Sequence, residues 1–534
     1  MNIKIFAAIT ALSMLMAACT KDLNRQPSDA ITAADVYSTP LGYNQAMAKV
    51  YAAFANTGNV GGTGSADLPS QIIADEGNSD FLRLYFNLQE LTTDEAAWSW
   101  ESDAGIQGLH EMSWSSNNAI IDGLYYRSFF QITLCNDFIA HSTDAALAGK
   151  GFSSATVDTI KAYRAEARFL RAYQYWVLMD LFGNPPYVDE TMAIGTFIPK
   201  QISRADLFKY VESELIGAAD SGLIAPHQNQ LGRADQAAAW ALLARLYLNA
   251  QVYTGTARYT DAITYCNKII AAGYSLHKDY STLMLADNRN NTDENIFDIE
   301  YDGKYIQNYG GTTYLIHGPA AIPDSVSGCN GSWSGLRMTQ DFISKFPDPS
   351  GATDHRAEFW TTGQTVDMTS LYTSTAGLST FKYRDVTSTG AKDPDQDPAG
   401  NYSSIYFPLF RFGEIYLDYA EAVVRGGSGG DANTALGYIN ALRGRAYGDS
   451  GTYTINASQL TLPFILDERG REMYYECCRR TDLIRFGEFT TGTYLWAWKG
   501  GVLGGTAVDD KYNLFPIPTT DLSANPNLKQ NPGY

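Results

Sequence analysis

Helix-length runs of apolar residues at a 3.6-residue period recur along this chain, parted by glycine- or proline-bearing breaks, and that recurrence leaves few architectures open. Residues 118–142 form one run, with Ile120, Ile121, Leu124, Phe129, Ile132, Leu134 and Ile139 turned inward. Residues 156–182 form another, which stops at Gly183-Asn184-Pro185-Pro186, where proline forbids continuation. Residues 204–220 give a third, and 235–253 with 258–272 give a pair that ends at Gly273. A second pair, 411–425 and 431–445, flanks the glycine-rich break 426–430, and a last helix is predicted over 463–486. The pattern predicts a mostly α-helical chain of about four helical hairpins with little sheet.

In the 235–272 pair, Ala238, Ala241 and Ala244 put small side chains where helices must approach closely, so the pair resembles a tetratricopeptide hairpin. Two stretches, 56–115 and 300–410, lack the helical period and are rich in Gly, Ser, Thr, Asn and aromatic residues. Loops of that length inside a helical protein usually carry function, so the repeats read as scaffold and the loops as a binding face. The chain is 13% aromatic, with 35 Tyr and 9 Trp, more than an ordinary core needs. Such rings suit surfaces that stack on a ligand while a polar edge stays wet. Lys and Arg number 39 against 58 Asp and Glu, and the net charge of −19 repels phosphate. That argues against nucleic acid as a ligand and against docking on anionic lipid by charge alone.

The N-terminus carries an address. One charge, Lys4, precedes an apolar run from Ile5 to Ala18. At about 14 residues the run is too short for a bilayer, which needs roughly 20, and it reads as a signal peptide. It ends Leu15-Met16-Ala17-Ala18-Cys19, small residues before a cysteine as in a bacterial lipobox, so that cleavage would leave Cys19 as a lipid-bearing first residue. Thr20-Lys21-Asp22 resembles the short charged signal of surface-exported lipoproteins. The other cysteines, Cys135, Cys266, Cys329, Cys477 and Cys478, are odd in number and lack zinc-site spacing. Cys477 and Cys478 adjoin in a helical pattern, and most of the five read as small buried apolar groups.

The carboxylate clusters admit two readings. Glu468, Glu472 and Glu476 fall on one face of a predicted helix, with Arg469, Arg479 and Arg480 nearby. A pair of them could serve as acid and base of a glycosidase, but a salt-bridged face packed on neighbouring helices is the simpler account. Glu414, Asp418 and Glu421 read the same way. Asp393-Pro394-Asp395-Gln396-Asp397 alternates carboxylates as a calcium loop does, without the Gly at the sixth position or the Glu at the twelfth. It reads as a solvated acidic loop; calcium is the one cofactor left open, and none is otherwise expected. Gly426-Gly427-Ser428-Gly429-Gly430 matches the letters of a nucleophile elbow but joins two helices rather than a strand and a helix. No HExxH, P-loop or dinucleotide fingerprint occurs.

Several motifs, in order, resemble the SusD/RagB family over nearly the whole chain. They include Lys161 to Tyr173 with Leu181-Phe182-Gly183-Asn184-Pro185-Pro186-Tyr187, and Leu231-Gly232-Arg233-Ala234. Further on come Phe407-Pro408-Leu409-Phe410-Arg411 with Glu414 to Ala422, Asn440 to Ala446, and Asp467 to Arg485. The closing pieces are Leu514-Phe515-Pro516-Ile517-Pro518 and Gln530-Asn531-Pro532-Gly533-Tyr534. The resemblance implies a glycan-binding lipoprotein rather than an enzyme, with a tetratricopeptide-like helical scaffold and long irregular binding loops. It would be lipid-anchored at Cys19 on the cell-surface side of the outer membrane. There it would capture oligo- or polysaccharide and deliver it to a SusC-like TonB-dependent transporter. It also implies a signal peptide over 1–18, an N-terminal region over 19–330 and a C-terminal region over 331–534 that share one compact architecture.

The same resemblance implies an arc of two Trp and a Tyr, which falls on Trp98, Tyr309 and Trp333, with Trp100 competing with Trp98. Arg83 is added as a contact for sugar hydroxyls. Small neighbours in Asn330-Gly331-Ser332-Trp333-Ser334-Gly335 leave the Trp333 ring with little local cover. The opposing reading makes these rings plugs beneath the loops. Two other functions stay open: a surface glycoside hydrolase using Glu95, Glu101 or Asp103, and a tetratricopeptide-type scaffold that binds peptide. The anchor is directly testable. Cys19→Ala should release the protein from the membrane or leave its precursor uncleaved in a fractionation blot; unchanged anchoring and cleavage would refute the lipobox.

Overall fold

The computed structural model describes residues 32–534 apart from 63, 65, 193, 194, 196, 449 and 450; the signal peptide and Cys19 lie outside the described residues. The chain is mostly helical. Its main helices are α1 (Pro40–Ala55), α2 (Phe81–Gln89), α3 (Ala119–His141), α4 (Ser154–Phe182), α5 (Arg204–Ser221), α6 (Gln236–Leu248) and α7 (Tyr259–Ala271), then α8 (Gly311–His317), α9 (Phe412–Val424), α10 (Ala432–Tyr447), α11 (Leu462–Met473) and α12 (Arg479–Arg485). Side-chain oxygens of Asn118, Ser153, Ser203, Asp235 and Asp431 cap the first turns of α3, α4, α5, α6 and α10. Each accepts a backbone N–H that the helix cannot use itself.

Successive helices pack on one another: α3 on α4, α4 on α5, α5 on α6, α6 on α7, then α7 on α9 and α9 on α10. Ala238, Ala241 and Ala244 are buried on α6, and their small size lets its neighbours close in. The step from α7 to α9 passes over a long insertion. Strand β2 (Asn295–Ile299) enters it and β6 (Phe407–Arg411) leaves it, and the two pair antiparallel. Within it, β3 (Leu336–Arg337) reaches back to pair with β1 (Ala97–Trp98), and β4 (Phe359–Trp360) pairs with β5 (Ser379–Thr380). The β1–β3 ladder thus joins the two irregular stretches of the sequence to each other. The hydrophobic core runs unbroken from Tyr37 to Leu528, across residue 330. Among the described residues no helix is long and apolar enough to cross a membrane.

Two expectations are corrected. The stretch 56–115 holds a helix, α2, whose nine residues are all buried. At nine residues it is shorter than the window of about 11–18 residues over which a helical period can be read. The predicted helix over 463–486 is two helices, and Tyr475 and Cys477 between them take left-handed φ values of 61°. Side chains capture the backbone there in place of helical partners. Tyr280 Oη donates to the Glu472 carbonyl (2.9 Å), Lys382 Nζ to that of Tyr474 (2.7 Å) and Tyr383 Oη to that of Tyr475 (3.0 Å). The Tyr475 and Cys478 amides donate to Glu95 and Glu90, each at 3.0 Å. With these groups met from outside, the helix loses the partners it would need to continue. Cys477 and Cys478 therefore sit in and beside this break; they are free and buried, as are Cys135, Cys266 and Cys329.

Glu468, Glu472 and Glu476 still converge, on a buried lattice of cations. Arg356 meets Asp354 and Glu468 at 2.8 Å each and Glu472 at 3.2 Å. Arg411 meets Glu294 at 2.9 Å and Glu472 and Glu476 at 2.7 Å each. Arg445 bridges Glu294 and Glu472, and Lys382 takes Glu476, all at 2.5 Å. The second set pairs likewise: Glu414 with Arg245, Asp418 with Arg469, and Glu421 with Arg425 and Arg485. Burial alone would raise the Glu472 carboxyl, but the guanidiniums of Arg445, Arg411 and Arg356 hold it down at about 2. A depressed carboxyl adds stability above its unfolded range and loses it as the pH falls towards 2. Glu472→Gln should cost about 3–5 kcal/mol near neutrality, the usual cost of orphaning buried charge. It should also flatten the acid side of the stability–pH curve. A denaturant melt matching wild type at pH 7 would contradict this.

Candidate functional site

The β1–β3 ladder and α2 gather the aromatic loops into one place. Asp80, the N-cap of α2, accepts the Arg83 amide (2.8 Å) and also the Gly311 amide at the start of α8 (2.7 Å), which ties the two helices together. Burial pushes its carboxyl up to about 6. Arg83, 6% exposed, donates from Nη1 to the Tyr309 carbonyl at 3.0 Å. Its guanidinium lies 4.5 Å from the centre of the Tyr314 ring and 5.9 Å from that of Trp333. Its Nε has no hydrogen-bond partner.

Around this cation six rings follow one another. Trp100 lies 5.2 Å from Trp98, which lies 5.1 Å from Tyr314. Tyr314 is 6.5 Å from Trp333, Trp333 is 6.3 Å from Tyr309, and Tyr309 is 5.3 Å from Tyr402. All five residues singled out in the sequence, Arg83, Trp98, Trp100, Tyr309 and Trp333, thus fall in one cluster.

They do not play equal parts. Trp100 is 41% exposed and Tyr309 37%, while Trp98 is only 2% exposed. Trp98 does not offer its face to solvent as the sequence suggested. Its indole N–H donates to Asp103 at 2.9 Å, and its ring lies against Tyr314 and over Gly335, where a Cβ would overlap it. Trp98 is floor, and Trp100 is the open ring of the pair. Trp333 has more cover than its small neighbours implied: it is half-buried and stacked on His317, 5.1 Å away at 13° between planes. His317 is fixed by the carbonyls of Gly331 (2.7 Å) and Asn401 (3.2 Å), and burial lowers its pKa.

Tyr402 and His317 escaped the sequence reading, because each joins the cluster across distant chain and neither stands in a telling motif. The carboxylates considered for catalysis are dispersed. Glu95 is buried against Glu90 and Tyr475, and burial with the Glu90 charge raises it far above the usual range. Glu101 is exposed, and Asp103 is held by the Trp98 indole. In the acidic loop Asp393 is paired with Arg289 at 2.9 Å, and Asp397 accepts the amides of Ala399 and Asn401. Among the described residues no group of three or more His, Cys, Asp or Glu is placed to hold a metal.

Comparison with known proteins places this arrangement. The sequence is 36% identical to the starch-binding protein SusD of Bacteroides thetaiotaomicron, over 99% of this chain and 98% of that one. The chain belongs to the SusD family. The model described as "SusD family" matches residues 357–534, and one described as "Starch-binding associating with outer membrane" matches residues 94–248. A SusD-like protein of Formosa agariphila, P2, is 24% identical over 81% of this chain and 86% of its own length. Among solved structures, surface glycan-binding protein A of B. thetaiotaomicron in complex with laminarihexaose superposes with a TM-score of 0.69 at 19% identity, covering 92% of this chain and 98% of that one. A B. thetaiotaomicron protein of the SusD superfamily superposes with a TM-score of 0.70 at 20% identity, over 92% of this chain and all of that one. The helical scaffold and its insertions are therefore the SusD fold.

In this member of the family a Cβ at Gly335 would come within 2.3 Å of the Trp98 ring. Gly335→Ala should drive Trp98 from its seat, lowering the melting temperature and changing the near-ultraviolet circular dichroism of the indole pair. An unaltered spectrum with an unaltered melt would show that the ring does not depend on that contact.

Proposed function

We propose that this SusD-family protein captures oligo- or polysaccharide at the surface of the outer membrane and passes it to a SusC-like TonB-dependent transporter, without chemistry of its own. The observation that carries the binding step is the unbroken run of rings from Trp100 to Tyr402 about a buried guanidinium. Sugar rings present C–H faces that stack on aromatic surfaces. Their hydroxyls need polar groups close by, and Arg83, 6% exposed, lies against these rings with its Nε buried and unpartnered. Trp100, Tyr309 and the half-buried rings of Trp333 and Tyr402 are the stacking surface; Trp98 and Tyr314 support it from beneath. The floor is fixed before a ligand arrives, so little side-chain freedom is lost on binding.

Full-length similarity to a starch-binding protein, and a shared fold with a glycan-binding protein seen with laminarihexaose, support the glycan class. The description "associating with outer membrane" supports the location, and the lipobox at Cys19 supplies an anchor. Delivery to a transporter needs only that the open and closed states of the pair differ in affinity for the glycan. Of the carboxylates named for the hydrolase reading, Glu95 is buried beneath the break at Tyr475 and Asp103 is engaged by the Trp98 indole, which counts against that reading.

Calorimetry against soluble starch, laminarin and related polysaccharides tests the assignment. Trp100→Ala, Tyr309→Ala and Trp333→Ala should each weaken binding by about 1–3 kcal/mol, by analogy with bases stacked on exposed rings. That is roughly 5- to 150-fold in affinity. Trp98→Ala should act mainly by lowering the melting temperature. Wild-type affinity in Trp100→Ala and Tyr309→Ala would remove the aromatic run from the binding account.

A further inference from the structure

One motif of the sequence, Leu231-Gly232-Arg233-Ala234, is not used by the aromatic site. It forms a bridge that separates two adjoining cavities. One, of about 260 Å³, is lined by His227, Asn229, Tyr274, Asn295 and Asp298; the other, of about 290 Å³, by Tyr51, Phe54, Asp298, Glu300 and Ile306. Both are lined by residues 230–233 and by Phe297 and Asp298, so the bridge crosses a single two-lobed hollow. The bridge fits closely: a Cβ at Gly232 would collide with the Glu300 carboxylate, and Gly232 has φ of 70°. Each lobe by itself falls just short of the size range of small-molecule pockets, and the two together lie within it. None of the rings of the aromatic run, nor Arg83, lines either lobe.

Two side-chain oxygens of residues that line the hollow lack partners, although the Asn295 side chain also hydrogen-bonds to the Asp298 carboxyl. Asp298, on β2, is 4% exposed, and its Oδ1 has no hydrogen-bond partner. Asn295, three residues earlier on the same strand, is 8% exposed, and its Oδ1 is also unpartnered. The one guanidinium at hand, that of Arg233, is spent on Glu166, at 3.0 Å from Nε and 2.6 Å from Nη2. The Asp235 carboxylate already accepts the amides of Ala237 and His227, at 2.8 and 3.0 Å. Glu300 brings a second negative charge beside Asp298, and burial together with that charge pushes the Asp298 carboxyl up to about 7. A buried acceptor left unmet costs free energy, and a buried carboxylate costs more. A group that both donates hydrogen bonds and carries positive charge would satisfy Asp298 in its ionised form.

We propose that this hollow is a second ligand site, shaped for a small hydroxylated amine whose ammonium pairs with Asp298 while a hydroxyl donates to Asn295. His227, tilted at 34° to the Tyr274 ring with centroids 4.0 Å apart, lines one lobe. The net charge of −19 favours a cation over an anion throughout. The proposal is independent of glycan binding at the aromatic run.

Glucamine and sorbitol differ only in an ammonium against a hydroxyl, and calorimetry of the purified protein with each at pH 7 tests the idea. Glucamine should bind at least tenfold more tightly than sorbitol. Asp298→Asn should lower its affinity at least tenfold, and Glu300→Gln should lower it severalfold, which serves if Asp298→Asn fails to fold. A Trp100→Ala/Tyr309→Ala double variant should bind glucamine as wild type does, which separates this hollow from the glycan surface. Absence of glucamine binding, equal binding of sorbitol, unchanged affinity in the folded Asp298→Asn and Glu300→Gln proteins, or loss in the aromatic double variant would each overturn the proposal.

Discussion

The lattice of guanidinium and carboxylate groups around Arg411 is the constraint on which the rest of the structure depends. Arg411 ends β6 and leads into α9, Glu294 precedes β2, Arg445 lies on α10, and Glu472 belongs to α11. Arg356 and Lys382 bring in the insertion, through Glu468, Glu472 and Glu476. Buried ion pairs of this kind add little net stability, because desolvation offsets much of the attraction. Their effect is on uniqueness: each charge has few places where it can be met, and a misregistered helix or strand would leave one unmet.

From that lattice the constraint passes to the aromatic surface in short steps. The break between α11 and α12 exists because side chains take its backbone groups, and two of those side chains are Glu90 and Glu95. Arg479, just beyond the break, grips Asp94 at 2.8 Å. The segment that leads to Trp98 and Trp100 is thereby fixed to the C-terminal helices. Arg337, next to β1, sends its guanidinium to the carbonyls of Thr373 and Ala376, at 2.7 and 2.9 Å, and so holds the facing loop. The exposed rings are thus the far end of a rigid chain of contacts. That suits a surface that must bind without paying to order itself.

A second consequence of the same architecture is the hollow beside β2. The strand is buried along its whole length because it closes the insertion against β6, yet it carries Asn295 and Asp298. Polar groups persist on a buried strand only where something meets them. Asp298 Oδ1 and Asn295 Oδ1 lack partners, and both residues line the space beside the 230–233 bridge.

The sequence by itself determined the scaffold, since long helices show up as long apolar-rich runs free of proline and of glycine-rich breaks, as the 118–142 and 156–182 runs do. It also determined the cast of the site: Arg83, Trp98, Trp100, Tyr309 and Trp333 could be named because large rings among small and polar neighbours stand out locally. Helix α2 stayed illegible because nine residues are too few to establish a period, and the break at Tyr475 because the groups that end the helix there come from residues such as Glu95, Tyr280 and Lys382. The division of labour between Trp98 and Trp100 was likewise decided only in three dimensions. Two residues apart on an extended segment, the two rings are alike to the sequence, and the packing of Tyr314, Asp103 and Gly335 makes one of them floor and leaves the other open. Local order fixes which side chains are available, whereas exposure depends on what distant chain comes to lie against them.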